Sequence, residues 1–133
     1  MECVTSVTYS VNINGKKVGF IKPTRGLRQG DPLSPFLFLI CAEGLSSFFR
    51  QANSQGLLTG IRVARGAPRL SHLFFADDSL ILSKANGEEA CKLRRILEVD
   101  KDASGQLITI EKSSLIFSGN VSHRQIDGVT RDL

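Results

Sequence analysis

A chain of 133 residues, 41% apolar and 23% charged, has enough sequence for one small domain with a single core. Lys and Arg outnumber Asp and Glu by 17 to 13, a net charge of +4, which permits a polyanionic partner without requiring one. The composition excludes a disordered chain. Three cysteines, Cys3, Cys41 and Cys91, lack any Cys-x-x-Cys spacing, which excludes the common zinc patterns and a secreted disulfide framework. Met1-Glu2-Cys3 does not open a secretory signal. The longest apolar run, Phe36 to Ala42, is too short to span a bilayer. The expected setting is intracellular, with no membrane partner.

The first element alternates: Val7, Tyr9, Val11 and Ile13 are apolar, with Thr8, Ser10, Asn12 and Asn14 between them. Period two predicts a half-buried strand. Asn14-Gly15 predicts a two-residue hairpin turn, because both residue types tolerate positive φ. A second strand, roughly Lys17 to Ile21, follows and ends at Pro23. A Gly- and Arg-rich loop runs from Thr24 to Leu33. Ser34-Pro35 reads as N-cap and first helical position of a helix reaching about Asn53. Its early turns, Phe36 to Ala42, are apolar nearly all round, which predicts burial on more than one side.

Leu58 to Val63 and Leu70 to Phe75 read as strands joined by the basic turn Arg65 to Arg69, and Leu80 to Leu82 as a third. Asn86-Gly87-Glu88-Glu89 has capping-box spacing. It opens a second helix that buries Ala90, Leu93, Leu97 and Ile96 and ends at Gly105. Short strands are expected at Leu107 to Ile110 and Ser114 to Phe117. Residues 1–122 then form one domain, and the polar tail 123–133 is expected to fray. The order ββ-α-ββ-α-β(β) predicts an α+β fold, two helices packed on a mostly antiparallel sheet.

Two segments carry chemistry. Asp77-Asp78 sits between the apolar runs Leu73-Phe74-Phe75 and Leu80-Ile81-Leu82, so two carboxylates are expected at the tip of a hairpin. Adjacent buried carboxylates repel unless a cation neutralises them, and magnesium takes oxygen ligands from carboxylates and phosphates. Asp-Asp is also ordinary turn chemistry, and both readings stand at this point. The loop Arg25-Gly26-Leu27-Arg28-Gln29-Gly30-Asp31 leads into a helix N-terminus. Its glycines let a ligand approach the backbone, and its arginines and free amides suit phosphate. A surface loop before a capped helix is the plainer alternative. His72 and His123 lack a second ligand at metal spacing and read as structural or surface residues. Arg62, Arg65 and Arg69 read as a solvated turn.

Taken together, Gly26-Leu27-Arg28-Gln29-Gly30-Asp31-Pro32-Leu33-Ser34-Pro35, Phe75-Ala76-Asp77-Asp78, Ala103-Ser104-Gly105-Gln106 and Glu111-Lys112-Ser113 resemble the reverse transcriptase of LINE-type (non-LTR) retrotransposons, the plant versions most of all. The first two motifs, in this order and spacing, are specific to that family. The resemblance spans about Cys3 to Ser122. It implies a partial polymerase palm and fingers, and RNA-directed DNA synthesis with two Mg2+ ions on an RNA template, a DNA primer and deoxynucleotides. It implies that Asp77 and Asp78 are catalytic and bind metal. It places Phe75 beside the primer end, Arg28, Gln29 and Gly30 against nucleotide and template, and Lys112 near the nucleotide's phosphates.

The family's first catalytic aspartate lies in a strand upstream of anything matching Cys3, and Asp31, inside the nucleotide loop, does not replace it. Thr109 stands where Asn is usual. The chain is therefore expected to be a fragment that does not polymerise alone, with a further segment of the same polyprotein supplying the third carboxylate. A non-catalytic remnant with weak nucleic-acid binding, or with no present function, is the alternative.

Overall fold

The structure, a computed structural model, describes residues 6–24 and 26–133. Cys3 and Arg25 lie outside them. The chain divides into two compact units, Met1–Phe38 and Leu39–Leu133.

In the first unit, β1 (Tyr9–Ile13) pairs antiparallel with β2 (Lys16–Ile21). Asn14 and Gly15 both take positive φ, 51° and 80°, the signature of a type I′ turn whose twist suits a hairpin. The expected half-burial is corrected, because every residue of both strands is exposed. Alternation decides which residues share a face. Burial needs another element against that face, and none among the described residues buries it. The helix α1 (Ser34–Ser54) begins in this unit. The Leu37 amide donates to the Leu33 carbonyl at 3.0 Å, so helical bonding starts one residue before the expected Ser34 cap. Phe36, Leu39 and Ile40 are exposed, which corrects the burial on more than one side expected of the early turns.

The second unit holds the core. Phe49 and Ala52 from the later turns of α1 pack with Leu58 and with Leu93 of α2 (Gly87–Ser104). Leu45, Phe74, Ile81, Ile96 and Leu97 close around them. The strands β3 (His72–Phe75) and β4 (Asp78–Ile81) form a second antiparallel hairpin. Its inner face contributes Phe74 and Ile81 to this cluster. Helix α2 starts and ends where its capping residues predict. The Asn86 side chain accepts from the Glu89 amide at 2.8 Å. Gly105, at φ 73°, closes the helix by donating to the Lys101 carbonyl.

Three expectations change. The strand expected over Leu58 to Val63 reduces to a bridge between Ile61 and Leu70; Gly60, with φ 62°, interrupts extended backbone there. Leu107 to Ile110 and Ser114 to Phe117 form no strands, and a single 3-10 turn, Ile110–Lys112, stands between them. A strand needs a neighbour for its backbone groups, and among the described residues none pairs with these. The tail is not frayed. It forms α3 (His123–Asp132), opened by a capping box in which Ser122 and Gln125 bond reciprocally, and it packs on α2 with Val129 buried. The Asp132 carboxylate lies at the start of α2, where a Cβ on Gly87 would be 2.6 Å from its Oδ2. A carboxylate at a helix N-terminus is favourable. The α+β class holds, with three helices and two separate two-stranded sheets among the described residues. Among the described residues no helix is long and apolar enough to cross a membrane.

Candidate active site

The hairpin β3–β4 positions Asp77 and Asp78 by register. His72 pairs with Ile81, Leu73 with Leu80, Phe74 with Ser79 and Phe75 with Asp78. Partners share a face in an antiparallel ladder. One face therefore carries His72, Phe74 and Ile81 toward the core, and the other carries Leu73, Phe75, Asp78 and Leu80 outward. Ala76 and Asp77 make the turn. Asp78 thus shares its face with Phe75, whose side chain is 83% exposed. The carboxylates stand at the hairpin tip and both are exposed, so water can solvate their charge.

The turn contains a signal that sequence reading missed. Ala76 has φ +49°, while Asp77 does not enter the positive region. Positive φ at the first turn residue alone is the sign pattern of type II′, where Gly is usual. An alanine there is held in the left-handed region at a cost of about 1–2 kcal/mol.

The base of the hairpin is anchored through His72. Its Nε2 lies 2.9 Å from Ser46 Oγ and its Nδ1 2.9 Å from Ser71 Oγ. Its ring stacks on Phe49 with centroids 5.0 Å apart. Asn53 Nδ2 donates to Ser71 at 2.6 Å. Burial lowers the His72 pKa, the Arg50 guanidinium lowers it further, and Glu43 opposes them. Arg50 also donates to Ser46 Oγ and pairs with Glu43. His72 is therefore the structural residue expected of it.

The second anchor is Glu89, also missed. At the third position of α2 its carboxylate does not return to Asn86, as a closed capping box requires. It accepts from the Thr59 hydroxyl at 2.6 Å, the Thr59 amide at 3.2 Å and the Lys84 amide at 3.1 Å. This ties the segment leaving α1 and the segment leaving β4 to one point on α2.

Lys112 closes the 3-10 turn, exposed, its amide donating to the Thr109 carbonyl at 3.1 Å. Arg28, Gln29 and Gly30 lie in the first unit, exposed, in a loop ordered from within. The Arg28 carbonyl accepts from the Asp31 amide and from Ser34 Oγ, and Asp31 Oδ1 accepts from the Leu33 amide at 2.8 Å. Gly30 takes φ 79°. A shallow cleft beside this loop is lined by Tyr9, Leu27, Arg28 and Leu37 among others. The structure thus gathers Phe75, Asp77 and Asp78 on one hairpin, and Arg28, Gln29 and Gly30 on one loop.

Two exposed carboxylates on adjacent residues are hard oxygen donors of the kind Mg2+ takes alongside water and phosphate. Among the described residues no group of three or more His, Cys, Asp or Glu could hold a metal ion by itself. The donor set fits the ion's chemistry but is incomplete within these residues.

Residues 1–127 match the family model described as reverse transcriptase (RNA-dependent DNA polymerase). An uncharacterized mitochondrial protein of Arabidopsis thaliana is 58% identical over 67 residues, which cover 50% of this chain and 55% of that protein. A retrovirus-related Pol polyprotein from the type-1 retrotransposable element R2 of Nasonia vitripennis is 36% identical over 77 residues, 58% of this chain and 7% of the polyprotein. Its counterpart from Popillia japonica is 26% identical over 126 residues, 95% of this chain and 20% of the polyprotein. The chain thus spans about half the length of the first relative and a fifth or less of the other two. No solved structure matches it significantly.

Proposed function

The chain belongs to the reverse transcriptase (RNA-dependent DNA polymerase) family, and on that premise we propose that it is a piece of the nucleotide-adding centre of a LINE-type (non-LTR) retrotransposon polymerase. The observation that carries the reading is the Asp77-Asp78 pair on an exposed hairpin tip inside the span matched to the family. Asp77 and Asp78 are the residues that hold Mg2+. Bound there, two such ions would supply charge to the attacking and leaving oxygens of a phosphoryl displacement.

The chain's own residues do the rest. The core-facing side of the hairpin, locked through His72, Phe74 and Ile81, fixes where the two carboxylates stand. Phe75, on the Asp78 face, offers an apolar surface to the primer end. Arg28 supplies charge for phosphate, and Gln29 and Gly30 an uncrowded backbone for the nucleotide and template. Lys112 neutralises nucleotide phosphate. RNA template, DNA primer and deoxynucleotides are the partners of this assembly.

The isolated chain does not polymerise DNA, because the metal site needs a third carboxylate beyond Asp77 and Asp78. Two measurements test this. Mg2+ calorimetry is expected to show weak binding that disappears in Asp77→Asn/Asp78→Asn; the same heat in both proteins removes these residues from the site. Template–primer extension by the 133-residue chain is expected to give no incorporation. Robust incorporation abolished by Asp77→Ala would show that the chain's own residues complete the centre.

A further inference from the structure

The net positive charge of this protein comes from one segment. Residues 6–30 contain Lys16, Lys17, Lys22, Arg25 and Arg28 and no Asp or Glu, leaving 12 basic against 13 acidic residues elsewhere. The entire surplus lies on β1–β2 and the loop after it.

The hairpin register sorts these side chains. Ile13 pairs with Lys16, Asn12 with Lys17 and Val11 with Val18, but then Tyr9 pairs with Ile21. The step from Val18 to Ile21 is three residues against two from Val11 to Tyr9, so β2 carries a bulge. Gly19 supplies it, with φ 77°. Tyr9, Val11, Ile13, Lys16, Val18 and Ile21 consequently share one face. Without the bulge, Phe20 would follow Val18 onto it. With the bulge, Phe20 joins Lys17 on the opposite face, beside Ser10 and Asn12. Lys22, two residues on, extends the same side.

Phe20 is 77% exposed, more than any other apolar residue of the two strands. An aromatic aimed into water between two lysines, on a face without acids, has no packing role in this unit. It has the two components of a single-strand nucleic-acid platform: a flat apolar surface for a base and cations for the phosphates on either side of it.

We infer that this lysine–phenylalanine face of β1–β2 binds single-stranded nucleic acid, with a base stacked on Phe20 and backbone phosphates against Lys17 and Lys22. The inference rests on the nucleic-acid partner proposed above but not on the metal site. The charge pattern separates this occupant from an anionic membrane. A membrane would bury the larger apolar face, which carries the single cation Lys16, whereas Lys17 and Lys22 lie with Phe20 on the other.

The test is fluorescence anisotropy of labelled oligouridylate titrated with the full chain over a range of salt. Phe20→Ala is expected to weaken binding about tenfold, the loss of one base–aromatic stack, and Phe20→Tyr to retain it. Lys17→Ala/Lys22→Ala is expected to flatten the plot of log affinity against log salt by about 1.4, or 0.7 for each lost phosphate contact. Circular dichroism melts matching wild type accompany each variant. Oligouridylate binding unchanged by both sets of substitutions overturns the hairpin assignment and leaves the proposed function standing. No binding even at low salt overturns both. Binding of phosphatidylserine vesicles in place of the oligonucleotide overturns the choice of partner.

Discussion

The Glu89 carboxylate holds both the hydroxyl and the backbone amide of Thr59, thirty residues earlier in the chain. With the Lys84 amide as a third donor, a side chain in the first turn of α2 fixes the segments that enter and leave the Asp77–Asp78 hairpin. Glu89 is 5% exposed, so these bonds stand largely clear of competing water. Burial pushes the carboxyl pKa up. The bonds from Thr59 and Lys84, with the nearby Lys84 charge, outweigh it and leave the pKa below its ordinary value.

Glu89→Gln is expected to lower stability by about 2 kcal/mol at neutral pH, since one amide oxygen cannot replace two charged oxygens accepting three bonds. The sign with pH follows from the lowered pKa. The carboxylate's contribution is complete above the ordinary glutamate value of about 4.3 and fades as pH falls through the folded value. Urea midpoints of wild type and variant should differ at neutral pH and converge in acid. A gap that persists in strong acid would show that packing, and not charge, is what Glu89 contributes.

Asp100 has the opposite sign. Burial raises its pKa, and the Ser104 hydroxyl, 3.4 Å from Oδ2, offsets only part of that. The folded chain holds this proton more tightly than the unfolded one, so an ionised Asp100 costs stability above the raised value. The cost disappears as pH falls toward the ordinary aspartate value of about 3.9. Asp100→Asn should therefore stabilise at neutral pH by about 1 kcal/mol, raising the melting temperature by about 3–5 °C, with no gain in acid. Scanning calorimetry at the two pH values checks it, and a variant less stable at neutral pH would refute it.

These two carboxylates mark where sequence reading stops. Asn86 as N-cap, Gly105 as C-cap and Asn14-Gly15 as a turn were legible because each acts within a few residues. The hairpin under Asp77 and Asp78 was legible because apolar triplets flank it. Glu89 had the spacing of a capping box, but its partner Thr59 is set by tertiary packing. Ser122 and Gln125 carried the same spacing, yet α3 has only Ile126 and Val129 to declare an apolar face, and so it read as tail. Ala76 gave no signal, because alanine rarely takes positive φ. Leu107 to Ile110 and Ser114 to Phe117 hold short apolar runs that read as strand, but composition does not provide the neighbour that a ladder needs.

Gly60 sits at φ 62°, and a Cβ there would lie 2.6 Å from the Leu70 carbonyl oxygen and 3.0 Å from its carbon. Both neighbours are backbone, held by the Ile61–Leu70 bridge at 2.8 Å in each direction. Gly60→Ala is expected to cost about 3 kcal/mol, left-handed strain together with a clash that cannot relax. Gly66, at φ 81° with nothing near its missing Cβ, carries the strain alone, and Gly66→Ala should cost about 1–2 kcal/mol. Equal losses in denaturant midpoints would mean the bridge yields and the clash contributes nothing.

Ala76 offers the reverse substitution, at the tip that carries the carboxylates. Its φ of +49° holds a Cβ where glycine would have none. Ala76→Gly relieves about 1–2 kcal/mol of left-handed strain and gives back about 0.4–1 kcal/mol through the freer unfolded chain. The balance is a gain of roughly 0.5–1 kcal/mol, visible as a higher urea midpoint with unchanged slope. The same freedom loosens the turn that sets Asp77 relative to Asp78. Mg2+ affinity measured beside stability should therefore fall as stability rises. A variant that loses stability would show that the alanine side chain is packed rather than strained. One that gains stability at constant Mg2+ affinity would show that the turn does not govern how the two carboxylates meet the ion.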